Sequence, residues 1–141
     1  AECLVVVTGT AADRFILNPL KASLGELNTV LWLDSKLSSN ELLVVLDQAQ
    51  VVVAPSTGVI HLAASLSTSV VGIYSSIPVQ SPQRWGPKGP HVTTITPVDT
   101  AHANSPESMA TISVESIRQK VIQSLIQSRP SPDKPPSHPC N

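Results

Sequence analysis

The amino-acid sequence predicts an α/β domain built on a doubly wound, mostly parallel sheet, and three observations carry that expectation. Short apolar runs rich in β-branched residues recur at 4–7, 29–33, 51–54, 70–74 and 92–96. Uninterrupted runs of that kind suit strands covered on both faces, as parallel strands are. Between them lie longer stretches whose apolar residues fall three and four apart, the spacing of one helix face. Strands alternating with helices of this length form right-handed βαβ units.

The first run, Leu4-Val5-Val6-Val7, is closed by Thr8-Gly9-Thr10 and reads as a buried strand with its turn. Residues 13–24 read as a helix that Pro19 must kink or split. After the second strand, Asn40 opens a helix with Leu42, Leu43, Leu46 and Ala49 on one face. The third strand ends in Pro55-Ser56-Thr57-Gly58, which turns into a helix carrying Ile60, Ala63, Ala64 and Leu66. Two further strands follow, and Val114, Ile117, Val121 and Leu125 mark a closing amphipathic helix.

Two segments break the alternation. Residues 75–90 have no helical pattern and carry Pro78, Pro82, Pro87 and Pro90 along with Gly86 and Gly89, so a long functional or mobile loop is expected. Residues 129–141 are rich in proline with almost no apolar content, which predicts a disordered tail. The expected organisation is one folded domain over 1–128 followed by that tail.

The 141 residues suffice for a real core, because a domain of about 150 residues buries roughly 70% of its unfolded surface. A net charge of -1 gives no basic field to attract nucleic acid or an anionic membrane. Cys3 and Cys140 lie at opposite ends with no metal-ligand spacing, which predicts a buried strand thiol, a free thiol in the tail, and neither a metal nor a disulfide. No apolar run approaches the ~18 residues of a membrane span, and a cytoplasmic setting follows by default. The chain begins at Ala1, just before a strand, and so reads as a piece of something longer.

In open α/β sheets ligands bind at the carboxyl ends of the strands. The best candidate is the end of the third strand. A helix start there offers unpaired N–H donors and the positive end of the helix dipole, a seat for a diphosphate. Gly58 lets a ligand approach the backbone, and His61 lies one turn further on. A plain Ser/Thr helix cap with a surface histidine accounts for the same residues equally well.

The run Ser56-Thr57-Gly58-Val59-Ile60-His61-Leu62-Ala63-Ala64-Ser65-Leu66, followed by Ser67-Thr68-Ser69-Val70-Val71, closely resembles glycosyltransferase family 9, which contains the lipopolysaccharide heptosyltransferases. Pro82-Gln83-Arg84-Trp85-Gly86-Pro87-Lys88-Gly89 is similar to that family's Trp-x-Pro-x-Gly loop. Thr8-Gly9-Thr10-Ala11-Ala12-Asp13 and Lys36-Leu37-Ser38-Ser39-Asn40-Glu41 match two further elements in part. The resemblance implies one Rossmann-like half of a GT-B architecture, the half that holds the nucleotide-sugar, typically an ADP-heptose, without a metal or other cofactor. By resemblance Thr57, Gly58 and His61 face the diphosphate and sugar, Asp13 (after Gly9) holds the ribose, and the backbone of Leu37 lies against the base. A helix cap for Asp13 and core packing for Leu37 are the structural alternatives.

This sequence departs from the family at three places. Ser56 stands where many members have an aspartate that hydrogen-bonds sugar hydroxyls, leaving the sugar open. Ser67 and Ser69 replace a glycine and a proline, which costs the turn rigidity. Arg84 is a candidate phosphate contact, and Trp85 either closes over the donor or plugs its loop. By the resemblance, the family's first βα unit is expected to lie before Ala1, outside this sequence. Its N-terminal domain is likewise expected outside this sequence, and the resemblance implies that it supplies the acceptor site for a sugar or lipid-linked acceptor and the catalytic base. No catalytic residue is therefore expected in this chain. The resemblance implies a cytoplasmic enzyme or one peripheral to the inner membrane. The competing expectation is a non-catalytic nucleotide-sugar module or a degenerate remnant. A related two-domain sugar epimerase would show a glutamate at this helix start, and none follows Gly58.

Overall fold

The structure, a computed structural model, describes residues 3–98 and 106–127. The expected tail over 129–141, with Cys140 and His138, lies outside the described residues, as does His102. Among the described residues strands and helices alternate and every strand pair is parallel, in a two-stranded and a three-stranded sheet. The chain divides into two compact units at Leu42 and Leu43.

In the first unit, β1 (Val5–Val7) pairs with β2 (Val30–Trp32), Val5 opposite Val30 and Val7 opposite Trp32. A single helical turn, Ala11–Asp13, leads into α1 (Arg14–Leu24). The Asp13 carboxylate accepts from the Thr10 backbone N–H at 2.7 Å and from its hydroxyl at 2.8 Å. Those two bonds hold the Asp13 carboxyl below its usual range. Helix α1 passes through Pro19 without the predicted split. The hydrogen bond Pro19 cannot donate would reach the carbonyl of Phe15, and both residues are exposed, so water can satisfy that carbonyl. Gly25, at a φ of 61°, ends the helix with its N–H on the Lys21 carbonyl. Lys21 then ties the unit together, its ammonium 2.7 Å from Asp34 and 5.1 Å from the centre of the Trp32 ring.

The first run is a strand but not a buried one. Leu4, Val5 and Val6 are exposed, and so is Cys3, which precedes the strand. A two-stranded sheet gives each strand an open edge, and Leu17 is the only buried apolar side chain of this unit among the described residues.

Helix α2 (Ser39–Gln48) starts one residue before the predicted Asn40. Ser38 and Glu41 cap it reciprocally. The Glu41 carboxylate accepts from the Ser38 N–H and hydroxyl, and Ser38 Oγ accepts from the Glu41 N–H. Glu41 is thus a capping partner rather than an ordinary surface charge.

In the second unit β3 (Val51–Pro55), β4 (Ser69–Ile73) and β5 (Val92–Ile95) lie side by side in that order. Helices α3 (Gly58–Ser65) and α5 (Val114–Gln127) both pack on β3 and β4. Successive strand residues point to opposite faces, and Val70 and Val71 are both wholly buried, so β4 is covered on both sides. Ile60, Ala63 and Ala64 of α3 supply part of that cover. Between β4 and β5 the expected loop forms two short helical pieces, Pro78–Gln80 and α4 (Pro82–Trp85). Each begins with proline, whose fixed φ suits a first helical position, and each is too short to show periodicity in sequence.

Helix α3 ends in a turn of specific geometry. The Ser67 N–H donates to the Ala64 carbonyl and the Thr68 N–H to the Ala63 carbonyl, with Ser67 left-handed at a φ of 62°. Thr68 also donates its buried hydroxyl to the Leu46 carbonyl at 2.9 Å, tying the end of α2 to this turn. Glycine is the residue this left-handed position prefers, so Ser67→Gly should raise stability by about 1 kcal/mol. An upward shift of the urea midpoint at unchanged m-value is the expected result.

Candidate functional site

The carboxyl ends of β3 and β4 lie next to each other, Pro55 opposite Ile73. They open on a cavity of about 680 Å³. Its wall on the β3 side is Pro55, Ser56, Thr57 and Gly58, continued by His61 one turn into α3. Ile73 and Ser75 line it from the end of β4, Gln80 and Trp85 from the following segment, and Met109 from the helical turn Pro106–Thr111.

Thr57 is the N-cap of α3 in an extended conformation (φ -132°, ψ 166°) and makes no side-chain capping bond. The Ser/Thr cap weighed from the sequence is therefore not formed. Helix α3 begins with first-turn N–H groups that no Thr57 hydroxyl occupies, at the positive end of its dipole. A Cβ placed on Gly58 would meet nothing within 4 Å. That space belongs to the cavity. Gly9 is different: a Cβ there would come within 2.8 Å of Leu17 Cδ1, so its bareness accommodates α1. Gly58, His61 and Leu62 are exposed, while Ile60, Ala63 and Ala64 face the core. The helix thus presents its His61 face to solvent by burying the other.

Ser56 does not cap the helix either. Its side chain lies near the hydroxyl of Tyr74, a wholly buried residue just past β4. The Tyr74 hydroxyl in turn donates to the Trp85 carbonyl at 3.0 Å. Burial raises the pKa of this phenol, and the nearby Ser56 hydroxyl works against that rise. Trp85 Nε1 donates to the Val79 carbonyl at 2.8 Å, and the residue is 52% exposed. Trp85 thus lines the cavity while its indole holds its own loop. Arg84 packs its guanidinium 5.7 Å from the centre of that ring and lines a separate hollow of about 490 Å³ with Ser76, Pro78, Ser81 and Gln83.

Of the residues singled out in the sequence, Ser56, Thr57, Gly58, His61 and Trp85 meet in one cavity. Gly9, Asp13 and Leu37 belong to the first unit, where Asp13 is bonded to Thr10 and Leu37 is half-buried between β2 and α2. Tyr74, Gln80, Ser75, Ile73 and Met109 were not anticipated as site residues. The end of the fourth strand was a legible signal for Ile73, Tyr74 and Ser75. Met109 had none. His91 is exposed. Among the described residues no group of His, Cys, Asp or Glu is arranged to hold a metal ion, and no helix is long and apolar enough to cross a membrane.

The family model described as glycosyltransferase family 9 (heptosyltransferase) matches residues 1–113. The chain belongs to glycosyltransferase family 9. Its fold is similar to that of a family 9 glycosyltransferase from Veillonella parvula DSM 2008, with a TM-score of 0.73 at 14% identity over 88% of this chain and 37% of that one. It is similar also to the ADP-heptose LPS heptosyltransferase II of E. coli, with a TM-score of 0.75 at 19% identity over 90% of this chain and 38% of that one. The chain thus spans less than two fifths of the length of either structure. No curated protein matches it.

This family 9 chain keeps its cavity wall in place through Gly72. A Cβ there would fall 2.6 Å from Tyr74 Cε2 and 2.8 Å from Ile60 Cδ1. One of the two would have to shift, although Ile60 is wholly buried and Tyr74 is held by its hydroxyl as well as by packing. Gly72→Ala should cost about 1–3 kcal/mol, the usual range for overpacking. Urea unfolding checks it, and a stability within error of the parent would show that the ring can move.

Proposed function

We propose that this chain supplies the donor side of a glycosyltransferase that moves a heptose-like sugar from a nucleoside diphosphate sugar to a sugar acceptor, as in lipopolysaccharide core assembly. One observation carries the reading. The start of α3, with no Thr57 capping bond and with open space over Gly58, faces a cavity at the carboxyl ends of β3 and β4. Backbone N–H groups and the helix dipole there suit a diphosphate. His61, on the same face one turn on, is positioned to donate to the leaving diphosphate as negative charge develops on it. The family membership supports the substrate class.

The remainder of the reaction needs a base to deprotonate the acceptor hydroxyl. We assign that base and the acceptor site to a part of the enzyme beyond this chain, in keeping with the share of the similar structures it spans. The chain alone then binds donor without turnover, in a cytoplasmic setting. Gly9, Asp13 and Leu37 take the nucleoside by family resemblance alone, and the proposal does not rest on them. A non-catalytic nucleotide-sugar module is the second reading. It is favoured by Ser56 standing at a position where many members of the family carry aspartate.

Calorimetry with ADP tests the site. The chain should bind ADP weakly, and Gly58→Val should weaken binding by about tenfold or more, the value of one or two charge-assisted hydrogen bonds. The variant should fold, since a Cβ at Gly58 meets no neighbour. Absence of binding at millimolar ADP contradicts the nucleotide site, and equal binding by the variant places the ligand elsewhere.

A further inference from the structure

The second strand that ends at the cavity carries a hydroxyl whose proton has no partner in the fold. Ser75 follows β4 at the rim, lines the cavity and is 9% exposed. Its Oγ accepts the backbone N–H of Ile77 at 3.1 Å. Among the described residues no acceptor takes the proton of that hydroxyl. A hydroxyl this buried needs an acceptor, and the cavity is the side from which one can arrive. The strand register says what stands beside it. Pro55 pairs with Ile73, so Ser75 lies as far beyond β4 as Thr57 lies beyond β3. Neighbouring strands are only about 4.8 Å apart, so a diphosphate on the first turn of α3 borders the end of β4.

We infer that Ser75 donates this proton to a phosphate oxygen of the bound diphosphate, and by doing so fastens the cavity wall built by Gln80 and Trp85. The inference rests on the donor-site reading above and deepens it. A phosphate oxygen is charged and only accepts, which suits a hydroxyl that has already taken an N–H. The Ile77 N–H bonds to the same serine oxygen, and hydrogen bonds in such a chain strengthen one another. A diphosphate that takes the proton therefore tightens the hold of Ser75 on Ile77. The turn Pro78–Gln80 starts from Ile77, whose carbonyl accepts the Gln80 N–H at 2.8 Å. Gln80 lines the cavity, and within the same turn the Val79 carbonyl holds the Trp85 indole. One serine thereby links the occupant of the cavity to two residues of its wall.

The test follows the amide of Ile77 in the ¹⁵N-labelled chain during titration with ADP and, separately, with adenosine, which has no phosphates. ADP should move the Ile77 amide proton downfield in step with the change at Gly58, and adenosine should leave it in place. In Ser75→Ala the Ile77 amide should no longer respond. The dissociation constant for ADP, read at Gly58, should rise about tenfold there, the value of one charge-assisted hydrogen bond. A serine that merely ties its own turn would weaken binding in the variant but would leave the parent's Ile77 amide indifferent to ADP. Absence of any change at Gly58 with ADP removes the diphosphate seat, and the inference falls with it. With Gly58 responding, an Ile77 amide that stays in place, one that moves equally with adenosine, or an unchanged dissociation constant in Ser75→Ala overturns the role of Ser75. The first two of these outcomes need only the parent chain, so they decide the matter even for a variant that fails to fold.

Discussion

Strand β4 is covered on both faces along Val70 and Val71, and most of the second unit follows from that constraint. Val70 and Val71 are adjacent, point to opposite sides and are both fully covered, so the sheet needs a layer on each face. Parallel neighbours on both edges require crossover connections, and crossovers carry every strand's carboxyl end to the same side. The turns after β3 and β4 therefore gather at one rim. The hydroxyl of Tyr74 extends the constraint beyond the sheet. A buried hydroxyl is costly without a partner, and the partner it finds is the Trp85 carbonyl, which draws the segment after β4 across the rim. Cavity and core are thus held by the same residues.

Strand and helix identity was largely legible, because β-branched runs and three-four spacing report directly on which faces are buried. The cavity's first wall was legible for a related reason: a strand handing over to a helix through small polar residues and glycine exposes a helix start at a strand end. Burial itself was less so. The run from Leu4 to Val7 reads the same as the one from Val51 to Ala54, yet Val5 and Val6 are exposed, since cover depends on what packs against a strand and not on its composition. Gly9 and Gly58 likewise look alike in sequence, each small residue sitting shortly after a strand. Only the space around them separates a packing glycine from one bordering a cavity. The partnership of Tyr74 with Trp85 was invisible, because donor and acceptor stand eleven positions apart with no periodic pattern to link them.

The departures from the family pattern acquire physical meaning in the fold. Ser67 takes the left-handed conformation that explains why glycine suits that position, and the turn forms all the same because both of its backbone bonds are made. Ser56 lines the cavity near Tyr74, a buried tyrosine that follows the next strand.

The central claim is that a nucleoside diphosphate sits on the N-terminus of α3 at the end of β3. Titration of the ¹⁵N-labelled chain with ADP, followed by amide chemical shifts, addresses it most directly. The account predicts the largest shifts at Gly58, Val59 and Ile60, with a smaller change at the Trp85 indole across the cavity. Shifts confined to the separate hollow around Arg84, with the first turn of α3 undisturbed, would contradict it.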